Sequence, residues 1–179
     1  PGVLQGAHDP GQALHLAALV SGPAHGVLDL HADGSFKYTP AANYSGSDSF
    51  KFKTNDGQDD SPAGTITINV RAVADTPSVT GASTLKNTQT TSGLEVQRNA
   101  VDGNEVGYFK VTGITGGKLY LPNGTTQIQD GQFVAFADAS PRLRFTPTLD
   151  STSPGSFSIQ ASTAADDTGL AGGVVSVTV

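Results

Sequence analysis

The 179-residue chain has no cysteine, no methionine and no tryptophan, and only 15% of its residues are charged. Lacking cysteine, it has no disulfide framework, no thiolate zinc site and no cysteine nucleophile. Ten Lys and Arg stand against 16 Asp and Glu, a net charge of −6. That balance excludes a chain-wide basic footprint for nucleic acid. No apolar run approaches the roughly 18 residues of a membrane-spanning helix, so direct membrane insertion is not expected. No signal peptide opens the chain, and a start at Pro1 reads as a piece of something longer. A cysteine-free composition rich in Thr, Ser, Gly and Asp suits bacterial export, so the expected location is extracellular.

What is present is strand. Val27 to Leu30, Ser35 to Tyr38, Ser49 to Lys53 and Thr65 to Val70 alternate apolar and polar residues with period two. Such alternation marks strands with one buried face and one wet face. Turn clusters such as Ala32-Asp33-Gly34 and Asn55-Asp56-Gly57 separate them at sandwich spacing. The one helix-like stretch, Ala13 to Val20, is short and also fits a strand. The chain is predicted to be all-β.

The second half repeats the first. Phe36 to Pro40 matches Leu143 to Pro147 at an offset of 107, which also carries Phe50-Lys51-Phe52 onto Phe157-Ser158-Ile159. Upstream, Gly26-Val27-Leu28-Asp29-Leu30 matches Gly117-Lys118-Leu119-Tyr120-Leu121 at an offset of 91. The second copy therefore carries an insertion of 16 residues, expected as a hairpin over Thr125 to Phe136 that turns at Asp130-Gly131 and faces Val134 and Phe136 to the core. Repeats of this length are tandem domains, not solenoid units. The joint is predicted at Val73-Ala74-Asp75-Thr76-Pro77, giving domains at residues 1–74 and 75–179.

These motifs carry a family resemblance. Leu19-Val20-Ser21-Gly22-Pro23-Ala24-His25-Gly26-Val27-Leu28, Ala32 to Pro40, and Ala41 to Phe50 followed by Asn55-Asp56-Gly57 resemble bacterial cadherin-like (VCBS-type) tandem repeats. The second copy resembles a sister repeat through Thr88 to Leu94 and Phe109 to Ile114. The resemblance implies two Ig-like (cadherin-like) β-sandwich domains from a large secreted bacterial adhesin or surface protein, with calcium commonly bound at domain joints. On the fold it implies, the second domain has strands A to G near Ser78–Ala82, Gly93–Arg98, Val106–Ile114, Lys118–Leu121, Arg142–Thr146, Ser156–Ser162 and Val174–Val179. Only 13 residues precede Leu14, where the first domain's C strand starts. That domain is therefore expected to be truncated at its N-terminus, keeping only the end of B at Val3-Leu4, and to show an exposed edge.

On this fold the B–C and F–G loops share a pole. Asp102 and Glu105 would then approach Asp166 and Asp167 near Asp75, and calcium takes 6–8 oxygens of this kind. The expected calcium ligands are Asp75, Asp102, Glu105, Asp166 and Asp167, with Asn43 or Asp48 of the first domain completing the shell. The ordinary alternative is solvated turn residues. The family's acidic B–C run is reduced here to Asp9, within Gln5 to Gln12, and Lys86-Asn87 stand where an acidic pair is usual. His8, His15, His25 and His31 all fall in the first domain, where His15 and His31 read as exposed strand faces. No nucleophile elbow accompanies any serine, so the chain is expected to be non-catalytic. Phe36, Phe50, Phe52, Phe145 and Phe157 read as core. Tyr44 would anchor its loop, and Tyr108 and Tyr120 are either half-buried strand residues or platforms for sugar. The leading reading is a spacer in an adhesin that attaches cells or matrix. Its partners would be neighbouring repeats, surface polysaccharide or another adhesin chain. The alternatives are a carbohydrate-binding module for exopolysaccharide and an accessory domain of a secreted polysaccharide-degrading enzyme.

Overall fold

A computed structural model describes residues 2–4 and 16–179, and its regular structure is almost entirely antiparallel β-strand. The chain divides into two compact units, Pro1–Ala72 and Val73–Val179. His8, Asp9 and His15 lie outside the described residues.

In the first unit, β1 (Leu16–Ser21) shows the helix-like stretch to be strand, and β2 (Gly26–Leu30), β3 (Phe36–Pro40), β4 (Gly46–Asn55) and β5 (Gly64–Val70) follow the period-two segments. They build a three-stranded sheet in the order β1-β4-β5 and a two-stranded sheet, β2-β3. Phe36 of one sheet meets Phe50 of the other edge-on at 5.2 Å, so the two layers face each other. Among the described residues Phe50 is this unit's one fully buried large hydrophobic side chain. Leu28, Leu30, Phe36, Ile66, Ile68 and Val70 point inward by alternation yet stay half-buried.

The second unit shows what closes such a core. Its strands are β6 (Ser78–Val79), β7 (Val96–Gln97), β8 (Tyr108–Thr115), β9 (Gly117–Tyr120), β10 (Gln127–Ile128), β11 (Phe133–Ala135), β12 (Arg144–Pro147), β13 (Ser156–Ser162) and β14 (Val175–Thr178). A short helix, α1 (Phe136–Ala139), follows β11. The sheets run β10-β9-β12, β11-β8-β13-β14 and β6-β7. Residues 90–94 run along the outer side of β12. The Thr90 amide donates to the Phe145 carbonyl at 2.9 Å, the Phe145 amide to the Thr90 hydroxyl at 2.9 Å, and the Leu143 amide to the Leu94 carbonyl at 3.0 Å. Leu94 and Val96 then join Leu119, Phe145, Phe109, Phe157 and Ile159 in a sealed core. In the first unit Tyr38 occupies the place of Phe145, and among the described residues no strand pairs with the outer side of β3. Val3 reaches that end, its amide donating to the Gly34 carbonyl at 2.7 Å.

The inserted segment departs from the hairpin expected of it. β10 pairs with β9 and β11 pairs with β8, so the two strands extend opposite sheets and do not pair with each other. The turn at Gly131 is real, with φ +80°, and the Asp130 carboxylate accepts from the Ile114 amide at 3.0 Å. Its role is to carry the chain from one layer to the other. Val134 is buried as expected, whereas Phe136 begins α1 and is only partly buried against the core.

One aromatic ring holds each unit's D and E strands together. A side chain on Gly117 would meet the Phe145 ring at 2.5 Å and the Thr146 carbonyl at 2.3 Å, and one on Gly26 would meet Tyr38 at 2.5 Å. Neither neighbour is a free end that could swing away, so Gly117→Ala must displace the ring or the backbone. Overpacking of this kind costs about 1–3 kcal/mol; chemical denaturation of Gly117→Ala beside the parent chain measures it.

Asp48 was expected as a loop oxygen for calcium, but it is a buried residue of β4, 5% exposed. Its carboxylate accepts from the Ala24 and His25 amides at 2.9 Å each, the Ser49 amide at 2.8 Å and the Tyr38 hydroxyl at 2.8 Å. Burial works to raise this carboxyl, but the four donors outweigh it and hold it at about 2. Burial and the same hydrogen bond push Tyr38 up to about 12. A carboxyl depressed by folding contributes stability that is complete above its unfolded value near 3.8 and disappears as pH falls towards 2. Ser35 holds Asp33 low, and Lys53 and Asn55 hold Asp60 low, so both add to the same acid limb. Thermal melts between pH 5 and about 2 are expected to show the first unit failing in acid. Asp48→Asn should start lower and lose less across that range.

Candidate functional site

The acidic residues singled out from the sequence are divided by the second unit into two groups. Asp102 lies in the turn between β7 and β8, where its amide donates to the Asn99 carbonyl at 3.2 Å and its own carbonyl accepts from the Glu105 amide at 3.0 Å. These two bonds wind residues 99–105 so that the Asp102 side chain enters the protein, leaving it 2% exposed. There Oδ1 accepts from the Asp75 amide at 2.8 Å, tying the segment after Ala74 to the turn. Oδ2 is buried and has no hydrogen-bond partner.

Burial raises the Asp102 carboxyl above its ordinary value, and the negative charges of Asp75 and Glu105 raise it further, against the lowering effect of the Asp75 amide. Asp75, Asp102 and Glu105 are thus electrically coupled neighbours. Arg98 beside them is committed elsewhere: its guanidinium donates to the Gly103 carbonyl at 2.9 Å and lies 4.0 Å over the Phe136 ring.

The F–G pair behaves differently. Asp166 caps the short 3₁₀ turn Asp167–Gly169, accepting from the Thr168 amide at 2.9 Å, and the Thr168 hydroxyl holds its carboxyl below the usual range. Asp167 pairs with Lys110. Where this loop meets the segment around Asp75, it does so through glycines: the Gly173 amide donates to the Thr76 hydroxyl at 2.7 Å, and a side chain on Gly172 would strike the Asp75 carbonyl carbon at 2.5 Å. Among the described residues no three His, Asp or Glu side chains converge as they do around a metal ion.

One feature nevertheless suits a hard cation. An ionised Asp102 carries an orphaned oxygen and feels the negative charges of Asp75 and Glu105, and a carboxylate oxygen is the kind of donor calcium takes. The sequence could not announce this burial, because Asp102-Gly103 reads as an ordinary surface turn. Without a cation, the raised carboxyl opposes folding. Its protonated form fits the folded chain best, so the penalty is absent below the unfolded value near 3.8 and grows as pH rises through the folded one. Asp102→Asn keeps an acceptor for the Asp75 amide and removes the charge. In a chelating buffer the variant should melt higher than the parent at pH 7, and melts at successive pH values should show the gap closing towards pH 4.

Among the described residues, His25 and Tyr44 pack on each other. His25 stacks on Tyr44 with ring centres 4.3 Å apart, and the Tyr44 hydroxyl donates to the Ser47 carbonyl at 2.7 Å, anchoring the loop before β4. His31 lies 3.7 Å from Asp29 on the exposed face. Tyr108 is half-buried on β8, and Tyr120 lines a groove on the outer face of β9 and β12.

Comparison with known proteins bears on the first unit. The family model described as bacterial cadherin-like domain matches residues 2–72. Among solved structures, an endo-fucoidan hydrolase of glycoside hydrolase family 107 is similar at 21% identity with a TM-score of 0.30, over 94% of this chain and 23% of that one. The chain thus spans about a quarter of that protein, and a likeness so slight carries no argument. No curated protein matches the chain.

Proposed function

We propose, from a bacterial cadherin-like domain at residues 2–72 followed by a second unit on the same scaffold, that the chain is a non-catalytic repeat segment of a bacterial adhesin. It acts as a spacer outside the cell, holding a binding tip away from the surface that bears it. The observation carrying this reading is the internal repeat: Phe50 and Phe157, 107 positions apart on β4 and β13, are both 1% exposed. A spacer lengthens by copying a self-sufficient unit, and its units need cores and joints, not pockets. No helix among the described residues is long and apolar enough to cross a membrane.

Calcium is the stiffening element in this reading. Asp102 would hold the ion, the nearby charges of Asp75 and Glu105 would attract it, and backbone carbonyls and water would supply the remaining oxygens. Asp166 and Asp167 join only by releasing Thr168 and Lys110. When bound, calcium would offset two of the three carboxylate charges and satisfy the buried Asp102 oxygen. It would stabilise the folded unit by about 2.7 kcal/mol at a hundredfold excess over Kd.

Calorimetric titration with calcium, beside small-angle scattering with and without chelator, tests both parts. Expected are a saturable heat that Asp102→Asn and Asp75→Ala abolish or weaken, and a scattering profile that broadens in chelator. No heat and an unchanged profile would remove calcium from the account and leave Pro77 and packing to hold the segment.

A further inference from the structure

We infer that the outer face of β9 and β12 in the second unit is a binding groove for an acidic polysaccharide, a site independent of the spacer reading. The strands fix which residues it can show. Leu119 and Phe145 are opposite each other in register and face the core, at 0% and 1% exposed. Lys118 and Tyr120, with Arg144 and Thr146 across from them, must therefore stand on the outside. A groove of about 480 Å³ runs over this face, lined by Lys118, Tyr120, Thr146, Thr148 and Leu149, with Asn87 at its rim.

Charge decides the class of occupant. The chain carries a net charge of −6 and the second unit has only six Lys and Arg, yet two of them, Lys118 and Arg144, lie on this one sheet face. Arg142 pairs with Glu95 at 3.5 Å. The Arg144 guanidinium donates to the Pro122 carbonyl at 2.8 Å, which fixes it against the sheet beside Tyr120. Among the described residues no carboxylate lies within ion-pair distance of Lys118 or Arg144. The acids of the unit that are coupled to one another, Asp75, Asp102 and Glu105, lie instead about the turn before β8.

The lining decides between sugar and peptide. β9 is paired on both sides, with β10 and β12, and residues 90–94 cover the outer side of β12. A peptide would find no free strand edge to extend, which is the usual source of its affinity. One large exposed hydrophobe, Leu149 at 76%, is too little for an amphipathic helix. A half-buried tyrosine ring, two threonine hydroxyls and the Lys118 ammonium match a chain of hydroxylated rings bearing carboxylate or sulfate. The walls are rigid before any ligand arrives. Asn87 and Asp150, both at φ +59°, clasp each other through an Asn87 amide to Asp150 carboxylate bond of 2.8 Å and an Asp150 amide to Asn87 carbonyl bond of 2.6 Å.

The test uses the whole chain in chelating buffer, so that calcium bridging cannot contribute and failure here leaves the spacer reading untouched. Retardation in affinity electrophoresis is measured through polyuronate, dextran sulfate and neutral dextran. Retardation by at least one acidic polymer, and none by neutral dextran, is expected; which polymer wins separates carboxylate from sulfate recognition. Lys118→Glu should weaken binding about fivefold, in line with one exposed ion pair. Tyr120→Ala should weaken it about tenfold, whereas Tyr120→Phe should retain most of it, as ring stacking requires. Unchanged melting curves for Lys118→Glu and Tyr120→Phe show that the fold is intact. Absence of binding to either acidic polymer overturns the proposal. So does binding that ignores both residues, which would be unspecific ion exchange, and so does occupation of the face by a second copy, seen as a dimer in light scattering that Lys118→Glu dissociates.

Discussion

The ring of Phe145 lying against Gly117 and Gly155 is the contact on which the second unit depends. A side chain at Gly155 would come within 2.2 Å of that ring, and one at Gly117 within 2.5 Å. Gly117 starts β9, and Gly155 precedes β13 in the opposite layer. One ring therefore sets both the spacing of neighbouring strands and the spacing of the two sheets. Aromatic side chains do this well because they bury a large rigid area with few torsions to freeze. The first unit keeps the ring and one of the glycines, as Tyr38 on Gly26. At the position of the other glycine it has Asp48, and the ring has a hydroxyl that bonds to it at 2.8 Å. The exchange is coherent in physical terms, since a carboxylate buried at 5% exposure must find donors, and the four around Asp48 satisfy it. Where the second repeat closes this corner by packing alone, the first closes it by a pH-sensitive polar latch.

The two units also differ in how far their cores are closed. Leu94 and Val96 bring the second unit's core to near-complete exclusion of water, and the backbone of residues 90–94 satisfies the outer side of β12. The same side of β3 has no strand partner among the described residues, and the inward side chains of the first unit remain half-exposed. An unpaired edge above apolar side chains invites another strand. The strand that would fit best has the pattern of residues 90–96, with two apolar side chains spaced to cover Phe36 and Tyr38.

Much of this was legible in the sequence, wherever the cause is local or repeated. Period-two alternation located β2, β3, β4 and β5, and the repeat with the family resemblance located the longer strands of the second unit without any knowledge of their pairing. Alternation also settles that Lys118 and Tyr120 face away from Leu119. The failures share a different cause. Asp130-Gly131 correctly signals a turn, but a turn does not name the partners of the strands it joins. β10 and β11 were free to choose different sheets because the edges of β9 and β8 each offered unpaired backbone. Asp48 reads as a solvated loop acid because nothing nearby in sequence predicts that the amides of Ala24 and His25 will arrive over it. Asp102 likewise became buried through a bond to Asp75, 27 residues away. Long-range satisfaction of polar groups is invisible to periodicity.

That division explains where such a fold can acquire function. Core positions answer to the ring, the glycines and the alternation, so they leave little freedom to vary between copies. The outward positions of the same strands and the turns at the poles answer to none of these, and Lys118, Tyr120, Arg144 and Asp102 all stand at such positions or in such turns. The second unit accordingly holds coupled carboxylates about the turn before β8, and Lys118 and Arg144 on the β9–β12 face. At physiological salt, charges more than about 8 Å apart on a wet surface screen one another. Each group therefore acts on its own surroundings despite the net charge of the whole. A stiffening ion and an acidic sugar chain can then be held by one small sandwich, because the same inward constraints support both outward surfaces.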